Sequence, residues 1–229
     1  MKSFVADGPP GRGRLLMLDL DGTLLDTRHD LATAVNAVRA GYGLRPLSVG
    51  TVTRYVGDGL AELVQRALPG RDDDWPEAVE RCRRLYRRHM LDRTAPYPGV
   101  IAGLRRLKKA GYRLALVSNK PAAACRRLLR HFGLARLFDR IAGGDSTERR
   151  KPHPEPLRVT MRALGFRPAA SWMIGDHRTD LETARRAGVR SVFLSRGMGR
   201  RGGQRSHRTF ARFSELTDYF TRPHAAGKR

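Results

Sequence analysis

Two hydrophobic rhythms alternate along the chain. Short unbroken apolar runs occur in Arg14–Asp21, where Leu15-Leu-Met-Leu18 leads into two acids, and again in Tyr112–Ser118, Arg140–Gly144, Ser171–Gly175 and Ser191–Leu194. Runs this short and this apolar predict strands buried on both faces of a parallel sheet. Between them, apolar residues recur every three or four positions and predict helices over Pro121–His131, Glu155–Leu164 and Arg178–Ala187. The first opens on a proline and the last is closed by Gly188, each residue where its backbone preference suits it. Strands alternating with helices imply right-handed βαβ units, hence an α/β fold with a Rossmann-like parallel sheet core and helices on both faces.

Residues 27–93 break this rhythm. They carry no strand signal, only helical spacing over Asp30–Ala40, behind an Asp cap, and over Leu60–Leu68 and Trp75–Met90. The chain is therefore expected to divide into an N-terminal extension (1–13), an α/β core (14–26 and 94–220) with a helical insertion (27–93), and a loose tail (221–229). Tyr97-Pro-Gly-Val100 marks re-entry to the core. Arg196–His207 reads as a Gly- and Arg-rich loop and Phe210–Phe220 as a final helix.

Composition narrows the class. With 229 residues and 40% hydrophobic content the chain can bury a core, which excludes disorder and fibrous repeats. Cys82 and Cys125 stand alone, without metal-ligand or disulfide spacing, and no apolar run is long enough for a signal or membrane segment. A cytoplasmic location is the expectation. The net charge is +23, with 39 Arg and 6 Lys among the cations. It is spread over the second half of the chain, +14 in residues 94–195 and +7 in 196–229, and not gathered in one tract.

The chemistry-bearing residues follow the strands. Asp19 and Asp21, at i and i+2 off the end of the first strand, are expected to converge at the carboxyl edge of the sheet, where open α/β folds bind ligands. Two acids buried together need a cation or a proton, so the pair suggests a divalent metal. An acidic turn without function would use the same residues. Gly22 permits a sharp turn and Thr23 can bond within it. Ser118 and Asn119 end the second strand before a helix and suit an anion. Lys151, whose backbone the rigid Pro152 would hold, reads alone as an ordinary surface cation. Asp176 and Asp180 follow a later strand and offer the oxygen ligands that Mg²⁺ prefers, although Asp180 also fits a helix N-terminus. His177 reads as a loop residue.

In that order, Asp19-Leu-Asp-Gly-Thr, Ser118-Asn-Lys, Lys151-Pro and Gly175-Asp-x-x-x-Asp180 resemble the four motifs of the haloacid dehalogenase-like (HAD) hydrolase superfamily, over residues 14–198. Tyr55-Val-Gly-Asp-Gly59, Tyr97-Pro-Gly-Val100 and Gly143-Gly-Asp-Ser146 resemble the phosphoglycolate phosphatases within it. Asp58 departs from the Asn common in that pattern, and the segment after Ser195 departs from its usual ending.

The resemblance implies Mg²⁺-dependent hydrolysis of a small phosphomonoester, 2-phosphoglycolate foremost, through an aspartyl-phosphate. Asp19 would be the nucleophile and Asp21 the acid and base. Lys151, Ser118 and Asn119 would hold the phosphoryl oxygens, while Asp19, the Asp21 carbonyl and Asp176 would hold the metal. Asp180 and Thr23 would orient these groups. The insertion would be a cap, reading the substrate through Gly57, Asp58 and Gly59. Sugar phosphates, mutase chemistry and pyrophosphate are the alternatives within the superfamily. A nucleic-acid-binding protein, the alternative from another class, has the +23 charge in its favour. Against it stand the lack of any recognition motif and of aromatics interleaved with the basic residues. No membrane partner is expected, and a monomer or homodimer fits equally.

Overall fold

The computed structural model describes residues 14–70 and 75–222, so the predicted extension 1–13 and the tail from 223 onward lie outside the described residues. Strand β1 (Leu15–Leu18) is the centre of a six-stranded parallel sheet, and all four of its side chains are wholly buried. On one flank lie β4 (Arg113–Val117) and β5 (Arg140–Ala142). On the other lie β6 (Ser171–Gly175), β7 (Arg190–Leu194) and β8 (Arg208–Phe210), giving the order β5-β4-β1-β6-β7-β8. Registers are direct: Leu18 pairs with Leu116 on one side and Ile174 on the other.

Alternation along β1 sends Leu15 and Met17 to one face and Leu16 and Leu18 to the other. The first face packs on α7 (Glu155–Leu164) and α8 (Arg178–Ala187) through Leu157, Met161 and Ala184. The second packs on α5 (Val100–Lys109), α6 (Ala122–His131) and α9 (Phe213–Thr221), and its core continues into the helical insertion. The sheet is therefore covered on both faces, as its apolar runs require.

The insertion consists of α1 (Arg28–Gly41), α2 (Val49–Tyr55), α3 (Leu60–Ala67) and α4 (Trp75–His89). A two-residue antiparallel ladder of β2 (Leu25–Asp26) and β3 (Ala95–Pro96) ties together the chain leaving the core and the chain returning to it. Among the described residues no helix is long and apolar enough to cross a membrane.

Several expectations are corrected. Asp30 does not cap α1; Thr27 precedes that helix, and Asp30 is buried in its first turn. Its carboxylate accepts from the Arg93 N–H (3.0 Å), the Thr94 N–H (2.9 Å) and the Thr94 hydroxyl (2.7 Å), donors at the returning chain that burial would otherwise leave unpaired. Phe210, read as the start of the last helix, ends strand β8, an edge strand of mixed exposure with a single phenylalanine, after which α9 runs from Phe213 to Thr221. Thr221 thus belongs to α9 and not to the tail. Helices α2 and α5 and the small ladder were not anticipated.

Replacing Asp30 by Ala strands three donors at the junction of insertion and core, and should cost about 2–4 kcal/mol. Urea unfolding of Asp30→Ala checks this: an unchanged midpoint would show that the junction does not depend on the carboxylate.

Candidate active site

β1 sits where the strand order reverses, so the loops after β1, β4 and β6 leave one edge of the sheet side by side. Asp19 follows β1, Ser118 and Asn119 follow β4, and Asp176 follows β6. Adjacent strand ends thus bring together residues about a hundred positions apart.

Behind Asp19 the chain turns sharply. Gly22 has φ +82, and its N–H donates to the Leu25 carbonyl. A Cβ there would run into the Asp176 carboxylate, so glycine is required both by backbone conformation and by space. Thr23 donates its hydroxyl to Asp176 Oδ1 (2.9 Å), while Asp176 Oδ2 accepts from the Met198 N–H (2.8 Å) and the Gly199 N–H (2.7 Å). The Arg- and Gly-rich loop after β7, given no role from sequence, therefore closes around Asp176.

Lys151 is almost fully buried, with Nζ 2.9 Å from Asp19 Oδ1, 2.7 Å from Asp180 Oδ1 and 3.0 Å from the Val117 carbonyl. Burial works to lower its pKa, but the Asp180 and Asp19 carboxylates outweigh that and hold it above the usual lysine range. It is a cation here, not a surface lysine. Asp180 joins two elements: Oδ1 accepts from Lys151, and Oδ2 accepts from the His177 N–H at the start of α8. His177 is more than a loop residue. It caps α8 by accepting from the Thr179 N–H, and burial lowers its pKa to about 4, which leaves it neutral.

The insertion reaches the site through the turn between α2 and α3, where Gly57 (φ +124) and Gly59 (φ +118) set the backbone. A Cβ on Gly57 would come within 2.6 Å of the His177 ring, and the Gly57 carbonyl accepts from the Asn119 side chain (3.0 Å). The same Asn119 amide donates to the Lys151 carbonyl (2.9 Å). Gly57 and Gly59 line a cavity of about 580 Å³ between insertion and core, shared with Asp19, Ser118 and Asn119. Asp58 is turned away from it: its carboxylate is paired with Arg66 (2.5 Å) and Arg178 (2.8 Å).

The Asp21 side chain also points away from the other acids. Oδ1 accepts from the Thr27 hydroxyl (2.7 Å), and Oδ2 meets Lys120 Nζ at 2.9 Å. Lys120, buried and given no role from sequence, also donates to the Tyr86 hydroxyl of α4 (3.1 Å). Its position inside Ser118-Asn-Lys, in a chain of only six lysines, was the available signal. Asp145 fixes the loop that carries these residues by accepting from the Ala122 N–H at the start of α6 (2.8 Å).

Asp19, Asp176 and Asp180 each place a carboxylate oxygen within 4.8 Å of the others. Burial, then the Asp180 and Asp19 charges, push the Asp176 carboxyl up to about 8, and the buried Asp19 Oδ1 meets the Lys151 ammonium at 2.9 Å as an ion pair without an aligned hydrogen bond. An all-oxygen set with unmet capacity and mutually repelling charges fits a hard divalent cation.

The sequence model of the haloacid dehalogenase-like hydrolase family matches residues 16–194, and the chain belongs to that family. Within it the chain is a phosphoric monoester hydrolase of the phosphoglycolate phosphatase-like kind. It is 41% identical over 187 residues to a phosphoglycolate phosphatase of Neisseria meningitidis, covering 79% of this chain and 80% of the relative. It is 35% identical over 225 residues to one of Psychrobacter arcticus, covering 93% and 98%. A crystal structure described as a predicted phosphoglycolate phosphatase from Haemophilus somnus superposes with TM-score 0.82 at 29% identity, over 89% of this chain and 96% of that one.

The raised pKa of Asp176 has a signed consequence. In metal-free protein the proton is held more tightly folded than unfolded, so stability falls as pH rises from about 4 toward about 8. A divalent cation bound beside Asp176 would displace that proton, so its stabilising effect would grow over the same range. Thermal melts of chelator-treated protein should show a larger gain on adding Mg²⁺ at pH 8 than at pH 5.5; an equal gain at both would contradict the placement of a metal beside Asp176.

Proposed function

We propose that this protein is a Mg²⁺-dependent phosphatase that hydrolyses a small phosphomonoester, 2-phosphoglycolate foremost, through an aspartyl-phosphate on Asp19. The observation that carries the reading is Lys151, a buried cation bonded to both Asp19 and Asp180 at the sheet edge where the strand order reverses. The insertion between residues 27 and 93 then acts as a cap, and the cytoplasm is the compartment that suits two free, buried cysteines.

An anion attacking an anion is the central difficulty. Lys151 supplies positive charge beside the Asp19 oxygen, and with Ser118 and Asn119 it would hold the phosphoryl oxygens in line for attack. Mg²⁺ held by the Asp19 and Asp176 carboxylates with the Asp21 carbonyl would supply the remaining charge compensation. Thr23 and the Met198 and Gly199 N–H groups keep Asp176 facing the site. Asp21 would give a proton to the leaving oxygen as the ester bond breaks, then take one from the water that hydrolyses the aspartyl-phosphate, each transfer worth about 10²–10⁴-fold. The cap would exclude bulk water, with Gly57 and Gly59 in its wall. Asp58 would hold the cap loop through Arg66 and Arg178 instead of reading substrate.

The named relatives support 2-phosphoglycolate as substrate. A specific observation favours a second reading: at about 580 Å³ the cavity falls in the range that usually takes ligands much larger than a two-carbon acid, and Leu60, Leu63 and Met90 give it apolar walls. A sugar phosphate would use that space.

Asp19→Asn should abolish Mg²⁺-dependent turnover of p-nitrophenyl phosphate; full activity in that variant would remove Asp19 as nucleophile. Among 2-phosphoglycolate, sugar phosphates, nucleotides and pyrophosphate, the highest kcat/KM is expected for 2-phosphoglycolate. A clear preference for hexose phosphates would establish the second reading instead.

A further inference from the structure

Lys120 is an unusual residue to bury. It lies in the cavity wall with its side chain 6% exposed, between a carboxylate of the core and a tyrosine of the insertion. Nζ is 2.9 Å from Asp21 Oδ2 and 3.1 Å from the Tyr86 hydroxyl, and it sits 4.4 Å from the centroid of the Tyr86 ring. The other Asp21 oxygen accepts from Thr27, at the foot of the insertion. Both oxygens of Asp21 are therefore held, one by the hinge and one by a cation that the insertion itself holds. A buried ammonium is costly unless paired, so withdrawal of Tyr86 would leave Lys120 with less support and less fixed direction.

We propose that Lys120 is a positioning residue that aims the Asp21 carboxylate at the leaving oxygen, and that Tyr86 makes this aim conditional on the insertion lying over the core. The inference rests on the phosphatase reading above. In the first step the Asp19 oxygen bonds to phosphorus as the ester P–O bond breaks; the leaving oxygen keeps the bonding pair and takes the proton of Asp21, giving the alcohol. Lys120 is then the counter-ion of the Asp21 carboxylate so formed. A proton held in the wrong direction costs rate in proportion to how much the leaving group needs it.

That dependence provides the test. An alkyl phosphate needs the proton, whereas p-nitrophenyl phosphate releases p-nitrophenolate, a stable anion, and kcat/KM for each reads the step in which the ester bond breaks. Lys120→Met should lower kcat/KM on the alkyl ester about a hundredfold and on the aryl ester at least tenfold less. Tyr86→Phe keeps the ring and its packing but removes the hydroxyl, and should lower the alkyl-to-aryl ratio about three- to tenfold. Tyr86→Phe carries the test alone if Lys120→Met does not fold, and Lys120→Arg, which keeps the charge, should recover part of the ratio. Equal losses on both esters, or none, would overturn the inference while leaving the phosphatase reading intact. Wild-type protein inert toward both esters would overturn the two together.

Discussion

Lys151 makes the rest of this arrangement affordable. Asp19, Asp176 and Asp180 lie within a few ångströms of one another, nearly all of their surface removed from water, and such charges repel strongly where solvent cannot screen them. One ammonium touching two of the three carboxylates offsets part of that repulsion and leaves a net negative charge that a further cation would meet. Much of the neighbouring architecture keeps that ammonium in place: the Val117 carbonyl at the end of β4, the Asn119 amide on its own backbone, and α8 beginning where Asp180 must stand.

The sheet and the site are thus one problem. β1 must be central and apolar on both faces for Asp19 to emerge between the ends of β4 and β6. It must also end abruptly, which Gly22 ensures by turning the chain back without a side chain that would strike Asp176. The large positive charge plays a smaller part here than its size suggests. Outside Lys120 and Lys151, many of the cations are exposed arginines on helices such as α4 and α6, where they would give a field attractive to anions.

Legibility in the sequence followed burial. Ser171–Gly175, Glu155–Leu164 and Arg178–Ala187 were read to the residue, because a wholly apolar strand and helices with strong punctuation leave little choice. Strand β8 escaped because an edge strand needs few apolar residues, and Arg208-Thr-Phe210 has one. Asp19, Asp21 and Asp176 could be found because strand ends place them, and Lys151 through the motif resemblance. The Lys120 and Thr27 bonds to Asp21 and the closure of residues 198–199 around Asp176 were not legible, because each depends on a contact between segments far apart in the chain or on a side-chain direction. Asp30 misled for a related reason: an acid in a first helical turn looks like a cap until the returning chain supplies better donors.

The ties between the insertion and the core are of two kinds. Lys120 with Tyr86 and Asn119 with the Gly57 carbonyl lie deep, while Arg178 with Asp58, Arg150 with Glu62 and Arg127 with the Arg87 carbonyl involve exposed guanidinium groups. Exposed pairs are screened, worth at most about 1 kcal/mol each, and break and reform readily. The insertion is therefore fastened at its rim by clasps that water can undo one at a time. Loosening of the insertion would begin at this rim, ahead of the deep contacts and of the apolar packing around the buried Leu31 and Met90.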